Sequence, residues 1–261
     1  METLARCGDR WISATAVCSS HQPAGVVCRN CMTSLLHDPE LEALLDRLHA
    51  QSDAQASETS AFFSEARRQS GRDRTQRGFD DGMRQYLADK LVALDRDKAT
   101  FCYQVCRALG ARRVVEAGTS HGVSTLYLAA AVRDNGHDDG VVIATEYEPD
   151  KAAVARANFE EAGLASWIEL REGDLRETLV DCGGPVDFLL VDIWHVALDA
   201  LELISPALRP GAVVVTDNTI SSAEGYQPYF EFLNDPANKL RTMTLPFSGG
   251  LEFTVRVDEQ R

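Results

Sequence analysis

The chain has 261 residues, 44% of them hydrophobic, which is enough for one large α/β domain with accessory helices or at most two domains. Its 26 basic and 40 acidic residues give a formal net charge of −14, and such a surface repels phosphate backbones, so we expect no nucleic-acid partner. No stretch of sequence approaches the ~18 apolar residues of a membrane span, so we expect no membrane contact and a cytoplasmic protein.

Residues 1–31 precede the first well-patterned segment, and we interpret them as a disordered extension. This extension contains cysteine and histidine at a spacing that zinc sites also use: Cys18, His21, Cys28 and Cys31. Short motifs of this kind often occur by chance, so a zinc knuckle is kept as the alternative. The seven cysteines of the chain are scattered and odd in number, which does not indicate a disulfide framework.

Residues 32–96 are predicted to form accessory helices. Asp38-Pro39-Glu40 is a helix start, because the acid caps and the proline suits the first turn, and leucines follow at helical spacing. The polar segment 51–60 predicts a break, followed by a short helix around Phe62 and an exposed loop over 71–81. Further helices are predicted over 83–94 and 97–109.

From Arg112 the pattern alternates between strands and helices, which is typical of a parallel sheet with crossover helices. The predicted strands are 112–117, 141–146, 167–171, 186–191 and 212–216, and the predicted helices are 123–133, 150–163, 175–181, 196–207 and 223–234. Two alternating segments, 240–245 and 251–257, predict a terminal antiparallel hairpin. The fold class is therefore α/β and Rossmann-like, with helices on both faces.

Acidic residues stand at or just after the ends of the five predicted strands: Glu116, Glu146, Asp174, Asp192 and Asp217. The carboxyl ends of parallel strands share one edge of a sheet, and ligands bind at that edge where the strand order reverses. Five acids there favour a ligand with hydroxyls, amines or positive charge, or a metal ion, and disfavour a polyphosphate.

A glycine loop follows the first of these strands and joins it to a helix, so that its backbone N–H groups point at whatever docks there. Gly118 and Gly122 are four residues apart and Glu116 precedes them, which departs from the dinucleotide pattern G-x-G-x-x-G. An acid at that place repels a pyrophosphate and suits the ammonium of an amino acid. A nicotinamide-dependent oxidoreductase is therefore the less favoured alternative.

The chain resembles the class I S-adenosylmethionine-dependent methyltransferases, and more closely the cation-dependent O-methyltransferases that include the catechol and caffeoyl-CoA enzymes. The resemblance covers residues 97–261. It rests on an ordered set of motifs: E-x-G-T-x-x-G-x-S-T from Glu116, Glu146, Gly173-Asp174, Asp192-x-Trp194, Asp217-Asn218 and the terminal hairpin. It implies a seven-stranded, mostly parallel sheet.

The resemblance also implies which residues bind the cofactor, S-adenosyl-L-methionine. The methionine part would lie on the glycine loop, the ribose hydroxyls on Glu146, and the adenine near Asp174 and Trp194. The full cofactor-binding set is Glu116, Gly118, Thr119, Ser120, Gly122, Ser124, Glu146, Gly173, Asp174, Asp192 and Trp194. For each acid, the structural alternative is capping of the helix that follows.

A divalent cation, Mg²⁺ by preference, is implied at Asp192, Asp217 and Asn218, whose oxygens are the ligands that such ions take. Alternatively, Asp217-Asn218 shapes a strand-end turn. The family usually has a lysine three residues after the first metal aspartate, and here that place is His195. We interpret His195 as the catalytic base, with a metal ligand or an ordinary helix-start residue as alternatives.

The predicted function is methylation of a hydroxyl on a small, catechol-like acceptor. The alternatives are the oxidoreductase and a cofactor-binding protein without activity. The N-terminal helices are expected to pair subunits in a homodimer, as they often do in the family.

Overall fold

The computed structural model describes residues 35–69 and 81–257, together with the backbone of two short strands before them. The chain divides into a small N-terminal unit, residues 1–37, and a main unit, residues 38–261. In the N-terminal unit, β1 (Leu4–Cys7) pairs antiparallel with β2 (Arg10–Ser13). The rest of the predicted extension lies outside the described residues, and so do Cys18, His21, Cys28 and Cys31. The extension and its zinc alternative therefore stay predictions.

The main unit is built on a seven-stranded sheet, and this confirms the predicted fold class. Its strands are β3 (Arg113–Ala117), β4 (Val141–Glu146), β5 (Ile168–Glu172), β6 (Val186–Val191), β7 (Leu208–Asp217), β8 (Leu240–Leu245) and β9 (Leu251–Arg256), in the order β5-β4-β3-β6-β7-β9-β8. The first five are parallel, whereas β9 runs antiparallel to β7 and to β8. The chain leaves β3 in one direction for β4 and β5 and in the other for β6, so the strand order reverses between β3 and β6.

Helices surround this sheet. They are α1 (Pro39–Gln69), α2 (Asp81–Leu87), α3 (Arg96–Leu109), α4 (Val123–Asn135), α5 (Pro149–Glu161), α6 (Leu175–Thr178), α7 (Ala197–Ile204) and α8 (Gln227–Asn234). Alternate residues of the central strands pack with α6, α7 and α8 in one core. Every residue of β6 is buried, which requires that the other face of the sheet is covered as well. Within the described part of the chain, each helix is too short or too polar to cross a membrane.

The accessory helices differ from the sequence prediction in two places. Asp38 caps α1 as expected, accepting a hydrogen bond from the backbone N–H of Leu41 (3.1 Å), but α1 then continues through the predicted break at 51–60. The polar side chains of that stretch mostly face solvent, which a helix tolerates, so polarity alone was not evidence of a break.

The second difference is that α2 ends at Leu87, whereas a helix was predicted through residue 94. Leu91 and Leu94 are buried as the pattern implied, but they lie on an extended segment. Two of its backbone N–H groups donate to α1 side chains: Leu91 to Gln55 Oε1 (3.0 Å) and Ala93 to Ser52 Oγ (3.2 Å). These tertiary hydrogen bonds replace the ones that a helix would have made.

Other element boundaries shift by a few residues. β7 begins at Leu208, not at 212, because Leu208 pairs with Val186 before an irregularity in register lets the strand pass Pro210-Gly211. α6 ends earlier than predicted, at Thr178, and α8 begins later, at Gln227. The predicted loop over 71–81 lies almost wholly outside the described residues.

Asp187 fastens the amino-terminal edge of the sheet, opposite the edge of the predicted site. One carboxylate oxygen accepts the backbone N–H groups of Arg112 and Arg113 (2.8 Å each), and the other pairs with the guanidinium of Arg209. Desolvation alone would raise the pKa of Asp187, but the backbone N–H of Arg113 and the guanidinium of Arg209 outweigh it and lower that pKa. The ionised carboxylate therefore stabilises the fold.

We predict that Asp187→Ala lowers the free energy of unfolding by about 2 kcal/mol, because two partly buried backbone N–H groups lose their acceptor and Arg209 loses its ion pair. The folded-state pKa is depressed, so the contribution is present at neutral pH and is lost as pH falls below about 4. Urea denaturation of both proteins across this pH range measures the difference. Asp138→Ala, at an exposed position, is the control and changes stability little; an equal loss in both variants would contradict the role of Asp187.

Candidate functional site

The carboxyl ends of β3, β4, β6 and β7 meet at one edge of the sheet, as predicted. The backbone N–H of Asp192 donates to the carbonyl of Ala117 (2.9 Å), and that of Thr119 donates to the carbonyl of Thr145 (3.1 Å). These bonds tie the loop after β3 to the ends of β6 and β4. The strand-end acids therefore surround the point where strand order reverses.

The glycine loop has its shape because two positions exclude a side chain. Gly118 has φ +101°, and a Cβ there would lie 2.6 Å from the carbonyl oxygen of Asp192. Gly122 has φ +84°, and a Cβ there would lie 2.3 Å from the ring of Phe159. Only glycine allows both the left-handed backbone and this close approach.

Glu116 lies behind this loop and is fully buried. Its carboxylate accepts hydrogen bonds from the hydroxyls of Ser124 (2.6 Å), Thr119 (3.1 Å) and Thr125. Burial raises the pKa of Glu116 to about 7, and the three hydroxyls act against that rise. The immediate effect of Glu116 is thus to organise the loop, and its predicted contact with a cofactor stays a prediction.

Glu146, at the end of β4, is 9% exposed and accepts one backbone donor on each oxygen. The N–H of Ser120 donates to Oε2 (2.7 Å) and the N–H of Glu148 to Oε1 (2.8 Å). Desolvation raises the pKa of Glu146, with these backbone bonds acting against it. Each oxygen keeps a second lone pair, so the carboxylate, fixed in place, is able to accept two further donors such as the hydroxyls of a diol.

A small cavity opens between the glycine loop and the extended segment after α2. It is lined by Leu91–Leu94, Gly118–His121, Val123, Ser124 and Asp192. Among the described residues, the Ser120 hydroxyl is buried without a hydrogen-bond partner. Since buried polar atoms are nearly always paired, the hydroxyl is suited to a polar ligand in the cavity. The segment of Leu91–Leu94 is a part of this site that the sequence reading had assigned to a helix.

Asp174 performs the capping role that was the alternative for each strand-end acid. Its carboxylate accepts the backbone N–H of Arg176 (2.9 Å) at the start of α6 and pairs with the guanidinium of the same residue. Gly173, with φ +122°, donates its N–H to the carbonyl of Glu146 (2.9 Å). The structure therefore accounts for Asp174 without a ligand, and its adenine contact stays a prediction.

Trp194 lies beside aromatic residues of the accessory helices. Its ring centroid is 6.1 Å from that of Phe63 on α1, in an edge-to-face arrangement. Phe62 in turn stacks on Tyr86 of α2, with centroids 3.7 Å apart and rings nearly parallel. Sequence reasoning treated Phe62 and Phe63 as part of a short helix and did not place them at the site.

Asp217 is almost fully buried, and both of its oxygens are engaged. The Lys98 ammonium lies 2.7 Å from Oδ1, and the Asn218 amide donates to Oδ2 (2.8 Å). Lys98 itself is 2% exposed and lies 3.0 Å from Asp95 Oδ2 as well. Desolvation raises the pKa of Asp217 although Lys98 opposes it, and desolvation with the charges of Asp217 and Glu116 raises that of Asp192.

Lys98 was missed by the sequence reading, although a signal was available. Cys102 and Cys106 follow it at intervals of four residues on α3, and both are buried. Lys98 therefore stands on the apolar stripe of its helix, where a lysine is expensive unless an acid neutralises it.

His195 follows Trp194 on the loop after β6 and is exposed as a whole. Local desolvation of its imidazole lowers the pKa of His195, and the charge of Arg176 lowers it further. With a pKa of about 4 the ring is neutral at neutral pH, which is the form that accepts a proton, but it is a weaker base than an ordinary histidine. His121 lines the cavity, and its carbonyl accepts a hydrogen bond from Asn158 (2.9 Å).

Parts of the chain are similar to known methyltransferases. Residues 115–219 match a family described as methyltransferase domain, and this confirms the resemblance to class I S-adenosylmethionine-dependent O-methyltransferases. A catechol O-methyltransferase from Mycobacterium tuberculosis is 34% identical over 140 residues, which are 49% of this chain and 58% of that protein. The chain thus spans little more than half the length of this curated relative.

Solved structures agree on the fold. A cofactor-bound protein from MTB superposes with a TM-score of 0.59 at 27% identity, over 71% of this chain and 94% of that one. An O-methyltransferase from Streptomyces achromogenes in complex with S-adenosylmethionine gives a TM-score of 0.56 at 23% identity, over 67% and 86% of the two chains. The second likeness concerns the fold alone.

We predict that Glu116→Gln changes how stability depends on pH. The folded-state pKa of Glu116 lies above its unfolded value, so the wild type loses stability relative to the variant as pH rises from about 4.5 to about 7. The difference reaches roughly 3 kcal/mol, since each pKa unit is worth about 1.4 kcal/mol. Urea denaturation at intervals of pH measures it, and a constant difference would show that the Glu116 pKa is not raised.

Proposed function

We propose that the protein is an S-adenosylmethionine-dependent O-methyltransferase acting on a hydroxyl of a small molecule. The observation that carries the proposal is Glu146, whose buried carboxylate is held by two backbone N–H groups and keeps lone pairs for a ribose diol. The cavity beside it, with the unpaired hydroxyl of Ser120 and the half-buried Asp192, suits the polar and cationic methionine part.

The residues of the chain would act mainly by positioning. When bound, the cofactor supplies a methyl group on a sulfonium. Glu146 would hold the ribose of the adenosine and the glycine loop the methionine part, and fixing the methyl donor in this way would reduce the entropy lost on reaching the transition state. The acceptor hydroxyl gives up its proton as the methyl is transferred, and His195 is the proposed proton acceptor because its imidazole is neutral.

The acceptor is proposed to be a flat, hydroxylated aromatic compound, of the catechol type. Trp194, two residues after Asp192, and Phe63 of α1 together present aromatic surface on this side of the site. Aromatic side chains favour a flat aromatic ligand, which packs against their rings. The name of the Mycobacterium tuberculosis relative points to the same class of acceptor.

The family resemblance also implies a divalent cation. In their present arrangement the residues of the implied site do not fit one. Asp192, Asp217 and Asn218 offer oxygen ligands of the right chemical type. Yet Asp217 is engaged by Lys98 and Asn218, and the amide oxygen of Asn218 accepts from the Ser221 hydroxyl (3.2 Å). Among the described residues, no group of three or more His, Cys, Asp and Glu is arranged to hold a metal. We therefore derive no reaction step through a cation.

Two further properties belong to the proposal. The homodimer formed through the accessory helices remains a proposal, and so does the cytoplasmic location.

We predict that the wild type binds S-adenosylmethionine and that Glu146→Ala weakens binding by about 10- to 100-fold, since hydrogen bonds to a charged group are lost. Isothermal calorimetry measures this. Glu172→Ala is the matched control, because Glu172 ends the neighbouring strand β5 but is exposed and pairs with Arg156. Absence of saturable binding by the wild type would reject the proposal; binding of NAD in its place would favour the oxidoreductase.

We predict transfer of labelled methyl from the cofactor to a vicinal aromatic diol, and much slower transfer to the matching compound with one hydroxyl. A panel of catechols and monophenols, scored by product mass, measures the difference. The same reactions in chelator and in added Mg²⁺ test the cation separately: unchanged turnover would remove metal assistance and leave the methyltransferase. No product from any hydroxylated acceptor would contradict the proposal.

A further inference from the structure

The acid site contains a buried positive charge that the proposed function does not use. Lys98 is 2% exposed, and its ammonium lies 2.7 Å from Asp217 Oδ1 and 3.0 Å from Asp95 Oδ2. Asp95 is exposed at the start of α3, whereas Asp217 is buried at the end of β7. The lysine thus reaches from the surface end of its helix into the predicted cation site.

Burying an ammonium costs several kcal/mol unless an opposite charge compensates for it. Lys98 is buried on the apolar stripe of α3 that also contains Cys102 and Cys106. Its ion pair with Asp217 compensates for the loss of hydration of the ammonium. The positive charge of Lys98 also offsets the repulsion between the carboxylates of Asp192 and Asp217, which lie at the same edge of the sheet. The ammonium holds the site together as built, in the way that a bound cation would.

We propose that Lys98 is the resident cation of the acid site, competing with a divalent ion for Asp217 Oδ1. This inference rests on the proposed function, because the methyltransferase resemblance is what implies a cation at Asp192, Asp217 and Asn218. A divalent ion entering between Asp192 and Asp217 would have to displace the ammonium or remain beside it, and the repulsion between the two positive charges would weaken its binding. Lys98 is therefore a positioning residue that sets how strongly the site takes up a metal.

The test is calorimetric titration of Mg²⁺ alone into the full chain, without cofactor or acceptor. Lys98→Gln keeps a hydrogen-bond donor for Asp217 but removes the charge, so we expect Mg²⁺ to bind at least about tenfold more tightly than to the wild type. Lys98→Arg keeps the charge, and its Mg²⁺ affinity is expected to stay as weak as that of the wild type. A role in holding Asp217 by hydrogen bonding alone would give little change in either variant.

Lys151→Gln is the matched control, since Lys151 is also a buried lysine but stands on α5, next to Glu146 and Glu148. Its Mg²⁺ affinity is expected to equal that of the wild type. If Lys98→Gln does not fold, as judged by circular dichroism and thermal melting, Lys98→Met gives the same test with an apolar side chain that suits the stripe of α3.

The inference is overturned if the uncharged variants bind Mg²⁺ no more tightly than the wild type, or if neither they nor the wild type bind it. Titration of the same proteins with S-adenosylmethionine separates this outcome from failure of the proposed function. Cofactor binding by the wild type with unchanged Mg²⁺ affinity in the variants rejects the role of Lys98 alone. Loss of cofactor binding in the wild type rejects the methyltransferase, whatever the metal does.

Discussion

Crowding of negative charge at one edge of a parallel sheet is the constraint on which the rest of this structure depends. Glu116, Glu146, Asp192 and Asp217 end four adjacent strands, and burial raises the pKa of each. Buried carboxylates of this kind are stable only where hydrogen bonds or opposite charges compensate for lost water. The groups around the site provide these hydrogen bonds and opposite charges.

Three of these acids, Glu116, Glu146 and Asp217, are compensated by different groups, and the difference separates their uses. Glu116 is surrounded by hydroxyls and is closed off behind the loop, so it serves the shape of the glycine turn. Glu146 is held by backbone N–H groups that leave lone pairs over, so it remains able to bind a ligand. Asp217 is compensated by the Lys98 ammonium. A covalently attached positive charge therefore stands where the family resemblance implies an exchangeable divalent cation.

Helix α1 and the segment Leu91–Leu94 complete the crevice through contacts that no sequence motif predicts. The extended stretch of Leu91–Leu94 lines the cavity because α1 side chains take its backbone N–H groups. Phe63 meets Trp194 because α1 is one long helix; the break that the polar stretch predicted would have left that contact undetermined. This side of the crevice is therefore shaped in part by residues outside the region of 115–219 that matches the methyltransferase domain.

The sequence by itself determined the sheet and the strand-end acids, and it carried the resemblance to the methyltransferases. Near-continuous apolar runs indicate burial on both faces of a parallel sheet, and the carboxyl ends of parallel strands share an edge, so the local pattern was sufficient there. Only the tertiary structure decided that Asp174 caps a helix, that residues 88–95 are not helical, and that Lys98 faces Asp217. The physical reason is that hydrogen bonds and ion pairs between residues far apart in the chain, such as Lys98 and Asp217, leave little trace in the periodicity of either segment.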